Sequence, residues 1–308
     1  MPVTVAILTY LALALVVFLG ARWLVHLALL RGLAAPRLAH EVAPSDVGLS
    51  AQSTQEIRLP GPDGKSLFAW LITPDTPGPH PAVLVMHGWG ANASMMLQIA
   101  PPLRAAGYAV LFVDARCHGQ SDDDRFTSMP RFAEDIGAGL AYLCTRPEVD
   151  PENIALLGHS VGAGAVLLYA AHHDDIRAAI SLSAFAHPRE VMQDWMAQHH
   201  IPFPVIGSYI LRHVEGVIGA RFDEIAPIHT ITQVGCPLLL VHGREDTSVA
   251  FKDALRLQAA QPAAQLLAVS GDHDLRETLR PHGDELVAFL DQACKPAQRK
   301  RVGQSQSQ

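Results

Sequence analysis

Ser160 lies between two glycines in the run G-H-S-V-G, residues 158–162, where two apolar stretches meet. The stretch before it, N-I-A-L-L, reads as a short buried strand, and V-G-A-G-A-V-L-L-Y-A-A after it reads as a buried helix rich in small residues. A serine at such a junction can cap a helix. Gly158 and Gly162 suggest another use, because glycines let the chain turn sharply and let neighbouring elements approach the bend. That spacing matches the strand–turn–helix elbow that lifts a hydroxyl clear of a sheet and presents it as a nucleophile. A serine hydroxyl attacks poorly at neutral pH. It needs an imidazole to take its proton and a carboxylate to hold that imidazole in the right tautomer.

In open sheets of parallel strands, working residues collect in the loops at the carboxyl ends of strands. Two loops downstream of Ser160 meet that condition. After P-L-L-L-V comes H-G-R-E-D, with Asp246, and after Q-L-L-A-V comes S-G-D-H-D, with His273. Glu245 is a rival for the acid. Asp272 and Asp274 flank His273 and read as turn residues. His159, beside the serine, should point away from the hydroxyl on such an elbow and is read as structural.

The elements that must position these residues are visible as hydrophobic runs. T-Q-E-I-R-L-P and S-L-F-A-W-L-I-T read as an antiparallel hairpin around G-P-D-G-K. Continuous runs follow at residues 82–86, 109–113, 154–158, 178–183, 237–241 and 265–269, with helix-length segments such as 94–106 and 131–146 between them. Unbroken Val/Leu/Ile runs mark strands covered on both faces, hence a mainly parallel sheet with helices on either side. Residues 184–233 break the rhythm with amphipathic material that includes Trp195 and Phe203. An insertion of that size is where a helical cap would sit, and these two aromatics are its expected substrate contacts.

The chain resembles the α/β-hydrolase superfamily from about residue 54 to 294. The resemblance rests on H-G-W-G (residues 87–90), D-A-R-C-H-G-Q-S (114–121), G-H-S-V-G, H-G-R-E-D (242–246) and G-D-H (271–273), and on the chain order Ser, Asp, His. Within it the chain is most similar to serine esterases, monoacylglycerol lipases and serine-aminopeptidase-like proteins. The resemblance implies a catalytic set of Ser160, Asp246 and His273, the H-G-x-x-D register preferring Asp246 over Glu245. It also implies an oxyanion hole from the backbone N–H groups of Val161 and Trp89. His87 and His118 then hold loops through hydrogen bonds. Cys117 stands where D-x-R-G-H-G-x-S usually has glycine, and Ala163 replaces the second glycine of G-H-S-x-G-G. Neither change removes a reacting group.

Residues 3–21 carry no charge and are long enough to cross a hydrocarbon core of about 30 Å as a helix. Arg22, Arg31 and Arg37 all follow that stretch, which by the positive-inside rule places the bulk of the chain in the cytoplasm. The competing reading is a cleaved signal peptide, with G-L-A-A at residues 32–35 as its cleavage site, but Met1-Pro2 supplies no basic leader. The expected organisation is an anchor over 1–31, a linker over 32–53, the catalytic domain over 54–294 and a solvated tail over 295–308.

A net charge of −7 offers no face to nucleic acid. The four cysteines are scattered without a C-x-x-C pair, which suits a reducing compartment and no zinc. The histidine pairs 172–173 and 199–200 lack metal-ligand spacing, and Asp122, Asp123 and Asp124 read as a solvated run. No metal or organic cofactor is implied. The expected activity is hydrolysis of a carboxylic ester, small or lipid-derived, through an acyl-enzyme, with the membrane as the partner of the N-terminal helix. Peptidase or acyltransferase chemistry on the same residues, or a non-catalytic binding protein of this fold, are the alternatives.

Overall fold

The computed structural model of the chain describes residues 3–203, 205–274 and 279–295. The basic stretch beyond Lys295, read from sequence as a tail, lies outside them. Helix α1 (Val3–Gly32) runs unbroken through 30 residues with no acidic residue in its first turn and Arg31 in its last. It is long and apolar enough to cross a bilayer, and none of its most apolar stretch is buried in the protein.

The sheet opens with the expected hairpin. Strands β1 (Thr54–Pro60) and β2 (Ser66–Ile72) pair antiparallel with Thr54 opposite Ile72 and Pro60 opposite Ser66. Then β3 (His80–Met86), helix α2 (Ala100–Ala105), β4 (Ala109–Val113), α3 (Met129–Leu143), β5 (Val149–His159) and α4 (Val161–His172) alternate. Next come β6 (Ala178–Leu182), α5 (Pro188–Gln198), α6 (Ile206–Ile218), α7 (Phe222–Ile225) and α8 (Pro227–Thr230). The chain ends with β7 (Leu238–Gly243), α9 (Lys252–Ala260), β8 (Gln265–Val269) and α10 (Gly283–Cys294). The eight strands form one sheet in the order β1-β2-β4-β3-β5-β6-β7-β8, parallel from β4 onward.

Alternate side chains of each inner strand feed opposite layers of core. Leu84 and Met86 of β3 pack on the side of α3 and α4, while Val83 and Val85 pack on the side of α2 and α10. Full burial of one such side chain contributes about 1.5–3 kcal/mol, which is why the Val/Leu/Ile runs predict the strands so closely. One helix-length segment behaves differently. Residues 94–106 are a 3-10 stretch, Ala93–Ile99, followed by the short α2. Pro101 and Pro102 lack the N–H groups a continuous helix would need, so the helix can only begin there.

The four helices α5 to α8 occupy the long interval between β6 and β7. Of residues 32–53, read as a linker, Gly32 still belongs to α1 and the rest lie along the domain. Leu33 packs against the core and its carbonyl accepts the Thr127 amide, Leu49 is buried, and His40 pairs with the buried Asp114 at 2.8 Å.

Candidate active site

Ser160 joins β5 to α4 with φ 54° and ψ −116°, a conformation that costs a non-glycine residue of order 1–3 kcal/mol and persists only where its surroundings enforce it. Here the Ser160 amide donates to the Leu182 carbonyl at 2.8 Å, and the Gly164 amide donates to the Ser160 carbonyl at 3.0 Å. The flanking glycines are required by close approach. A Cβ at Gly158 would sit 2.3 Å from the Gly162 carbonyl oxygen, and one at Gly162 would sit 2.3 Å from that of His87. The Ser160 hydroxyl makes no capping bond to α4. Its Oγ instead lies 3.0 Å from His273 Nε2.

His273 comes from the loop after β8, and its Nδ1 lies 2.8 Å from Asp246 Oδ2 in the loop after β7. Asp246 is buried, which by itself would raise its pKa. Hydrogen bonds from His242, His273 and the Val249 amide outweigh that and hold the carboxyl well below the usual carboxylate range. An ionised Asp246 selects the His273 tautomer with the proton on Nδ1, leaving the Nε2 lone pair for the hydroxyl of Ser160. Asp246 Oδ1 accepts the amides of Ser248 and Val249 at 2.9 and 2.8 Å. His242 Nε2 lies 2.8 Å from the Val249 carbonyl and 3.4 Å from Asp246 Oδ2, so its one N–H is shared between them and braces the same turn.

Glu245, the rival acid, is spent elsewhere: its carboxylate accepts the Gly271 amide at 2.5 Å and its own amide donates to the Gly271 carbonyl. It ties the acid loop to the histidine loop. That contact needs Gly243, where a Cβ would lie 2.3 Å from the Gly271 oxygen. His159 also reaches the histidine loop, donating from Nε2 to the His273 carbonyl at 2.8 Å. Asp272 accepts the Asp274 amide at 3.0 Å, a turn contact.

The loop after β3 is cross-linked by two neutral imidazoles. His87 donates from Nδ1 to the Gly88 carbonyl and accepts the Ala115 amide at Nε2. His118 donates from Nδ1 to the Arg116 carbonyl and accepts the Gly90 amide at Nε2. Burial, followed by the neighbouring His87, pushes His118 down to about 3, and burial lowers His87 as well. Among the described residues the Trp89 amide has no protein acceptor. Val161 opens α4, where the first amides have no intrahelical partner and the helix dipole favours negative charge. Two fixed donors flanking Ser160 suit an oxygen that gains charge.

A cavity of about 460 Å³ opens beside His273. Trp89, Met95, Met96, Ile99, Leu182 and Leu279 give it apolar walls, and Asp272, Asp274, Gln98 and Ser248 line it with polar atoms. Trp195 and Phe203, the expected substrate contacts, do not line it. Trp195 stacks on His199 at 4.1 Å and Phe203 packs against Gly207, and both are largely exposed on the cap. The wall comes from the 3-10 stretch Ala93–Ile99, because its turn places Met95, Met96 and Ile99 toward the histidine loop. Nothing in their spacing distinguished these residues from an ordinary helix. Gly243, the last residue of β7 and three residues before an acid, is the sequence signal of the close approach to Gly271.

The acidic run has local partners. Asp122 accepts the Ser66 amide, Asp123 pairs with Arg37 and Asp124 pairs with Arg131. Cys117 adopts φ 67°, so the residue replacing glycine keeps a glycine-like backbone, and its Sγ accepts the Asp124 amide.

Residues 77–210 match the family model described as serine aminopeptidase, S33. The chain is 28% identical over 236 residues to an uncharacterized protein, Rv2307c, of Mycobacterium tuberculosis, covering 75% of this chain and 77% of that one. The structure superposes on Pyrococcus furiosus esterase Pf2001 with a TM-score of 0.66 at 19% identity, covering 85% and 98% of the two chains. It superposes on Est1E of Butyrivibrio proteoclasticus, solved with ferulic acid bound, with a TM-score of 0.62 at 21% identity, covering 77% and 98%. With its mainly parallel sheet, its serine elbow and its superposition on these structures, the chain has the α/β-hydrolase fold.

Proposed function

We propose that the protein is a serine hydrolase that cleaves a carboxylic ester through an acyl-enzyme. The observation that carries this reading is the 3.0 Å approach of His273 Nε2 to Ser160 Oγ, on an elbow that leaves the hydroxyl uncommitted. In the first step His273 Nε2 takes the Ser160 proton as Oγ bonds to the ester carbonyl carbon. The carbonyl oxygen becomes an oxyanion held by the amides of Trp89 and Val161. His273 then protonates the departing alcohol as the C–O bond breaks, leaving acyl-Ser160. Water repeats the sequence, giving its proton to His273 and releasing the acid. Asp246 stays ionised throughout and stabilises the imidazolium.

The peptidase alternative has one observation in its favour. Asp272 and Asp274 line the cavity, where carboxylates would suit a substrate amine. A panel of p-nitrophenyl esters of graded length beside aminoacyl p-nitroanilides separates the two. Turnover of esters and not anilides supports the first reading, and the reverse supports the second. A fluorophosphonate probe should label the wild type and spare Ser160→Ala; labelling that survives the substitution overturns both.

We infer further that α1 is a retained membrane anchor with the catalytic domain on the cytoplasmic side. The charge-free stretch and the three arginines that follow it support this. Protease protection on sealed vesicles tests the orientation, and N-terminal sequencing of the mature protein tests retention.

A further inference from the structure

Two attachments fix α1 to the catalytic domain, one to α6 and one to the loop around Gly90 that lines the cavity. His26 meets His213 of α6, with ring nitrogens 2.9 Å apart. Below the helix, residues 33–40 form a strap along the oxyanion-side loops. Pro36 is so close to Gly90 that a Cβ there would lie 3.0 Å from its ring. Asn92 donates to the carbonyls of Leu38 and Ala39, and Arg37 donates to those of Gly119 and Ser121. So short a strap gives the domain little freedom to swing away from the helix axis.

The burial of α1 changes where these contacts begin. Its residues 5–25 are exposed, and His26, Leu27, Leu29 and Leu30 are half-buried. The charge-free stretch ends just before this, at Arg22. On α6, the face that meets α1 at His213 also carries Tyr209 and Ile206, four and seven residues earlier. These two are uncovered, and Val205 beside them is 80% exposed. The opposite face of α6 already buries Leu211 and Val214, so the helix is apolar on two sides. On α5, which packs against α6, Trp195 is 52% exposed. Exposed apolar groups on two packed helices, one of which meets a membrane-length helix, with Trp and Tyr among them, have the composition of a bilayer interface.

We propose that the cap tip (Trp195, Val205, Ile206 and Tyr209) docks onto the bilayer that holds α1, so that the site opens at the lipid surface and takes long-chain esters directly from the membrane. The docking rests on the geometry of α1 and α6; the ester substrate rests on the serine-hydrolase reading above. The apolar cavity walls at Met95, Met96 and Ile99 then receive the acyl chain.

The test uses the full chain reconstituted in phosphatidylcholine vesicles whose acyl chains carry bromine, which quenches indole fluorescence at short range. In a Trp23→Phe background, which silences the tryptophan of α1, the emission removed by adding Trp195→Phe should be at least about half quenched relative to unbrominated vesicles. In parallel, Val205→Asp with Ile206→Asp should raise KM roughly tenfold for a long-chain monoacylglycerol in the vesicles, since a charge at the interface opposes insertion. The same variant should leave kcat/KM for soluble p-nitrophenyl acetate unchanged. An unquenched Trp195 overturns the docking, as does an equal loss on both substrates. Quenching without turnover of either ester by the wild type keeps the docking and removes the ester substrate.

Discussion

His159 Nε2 donates to the backbone carbonyl of His273 at 2.8 Å, so the residue next to Ser160 anchors the loop that carries His273. Burial and the neighbouring His273 push the His159 imidazole down to about 4, which keeps it neutral and its Nε2–H available at ordinary pH. The geometry of the hydroxyl–imidazole pair therefore depends on a contact made by neither group itself. His159→Ala should lower kcat roughly 10- to 100-fold while KM changes little, since a small misplacement of reacting groups is costly. His159→Gln, which keeps a donor at similar reach, should recover part of the loss. Steady-state kinetics on a soluble ester checks both, and two variants as active as wild type would refute the positioning role.

Gly243 makes the contact between the acid loop and the histidine loop possible. Gly243→Ala places a Cβ 2.3 Å from the Gly271 oxygen and 2.6 Å from that of Asp272, both backbone atoms that must move together with His273. The expected result is a loss of kcat of at least about 100-fold with far-ultraviolet circular dichroism retained. Slower fluorophosphonate labelling of Ser160 should accompany it, because His273 is displaced and the serine is not.

Three buried imidazoles make stability depend on pH with a definite sign. His118 is pushed down to about 3, His159 down to about 4, and His87 is lowered by burial. In the unfolded chain each takes up a proton near pH 6.5. Below that value the unfolded state binds more protons than the folded state, so stability is full above about pH 6.5 and falls as pH falls. His118 alone costs about 2 kcal/mol between pH 6.5 and pH 5. Urea midpoints should decline across that window. His118→Gln should be less stable than wild type at pH 7 and show a shallower decline.

Chain-length preference should follow the cavity and not the cap. Met96→Trp or Ile99→Trp narrows the apolar wall and should shift relative kcat/KM toward short acyl chains, by roughly 1–3 kcal/mol across a few methylenes. Trp195→Ala should leave the preference among soluble esters unchanged, because Trp195 does not reach the cavity. A panel of p-nitrophenyl esters measures both, and a shift with Trp195→Ala alone would return selectivity to the cap.

The amino-acid sequence by itself determined the sheet. Unbroken apolar runs at residues 82–86 and 109–113 can only be buried on both faces, and these lie within β3 and β4. Once the strands are placed, the loops at their carboxyl ends are placed too, and with them Ser160, Asp246 and His273. The glycines at 158 and 162 were legible because their neighbours in sequence are also their neighbours in space. Tertiary structure alone decided contacts between residues far apart in the chain. His159 reaches His273 across 114 residues, the strap at Arg37 reaches Ser121, and a 3-10 turn at residues 93–99 walls the cavity where a regular helix was expected. Hydrophobic periodicity reports whether a side chain is buried and says nothing of which distant backbone it meets. The cap aromatics show the same limit: Trp195 and Phe203 look like pocket residues by type, and only the packing of α5 and α6 turns them outward.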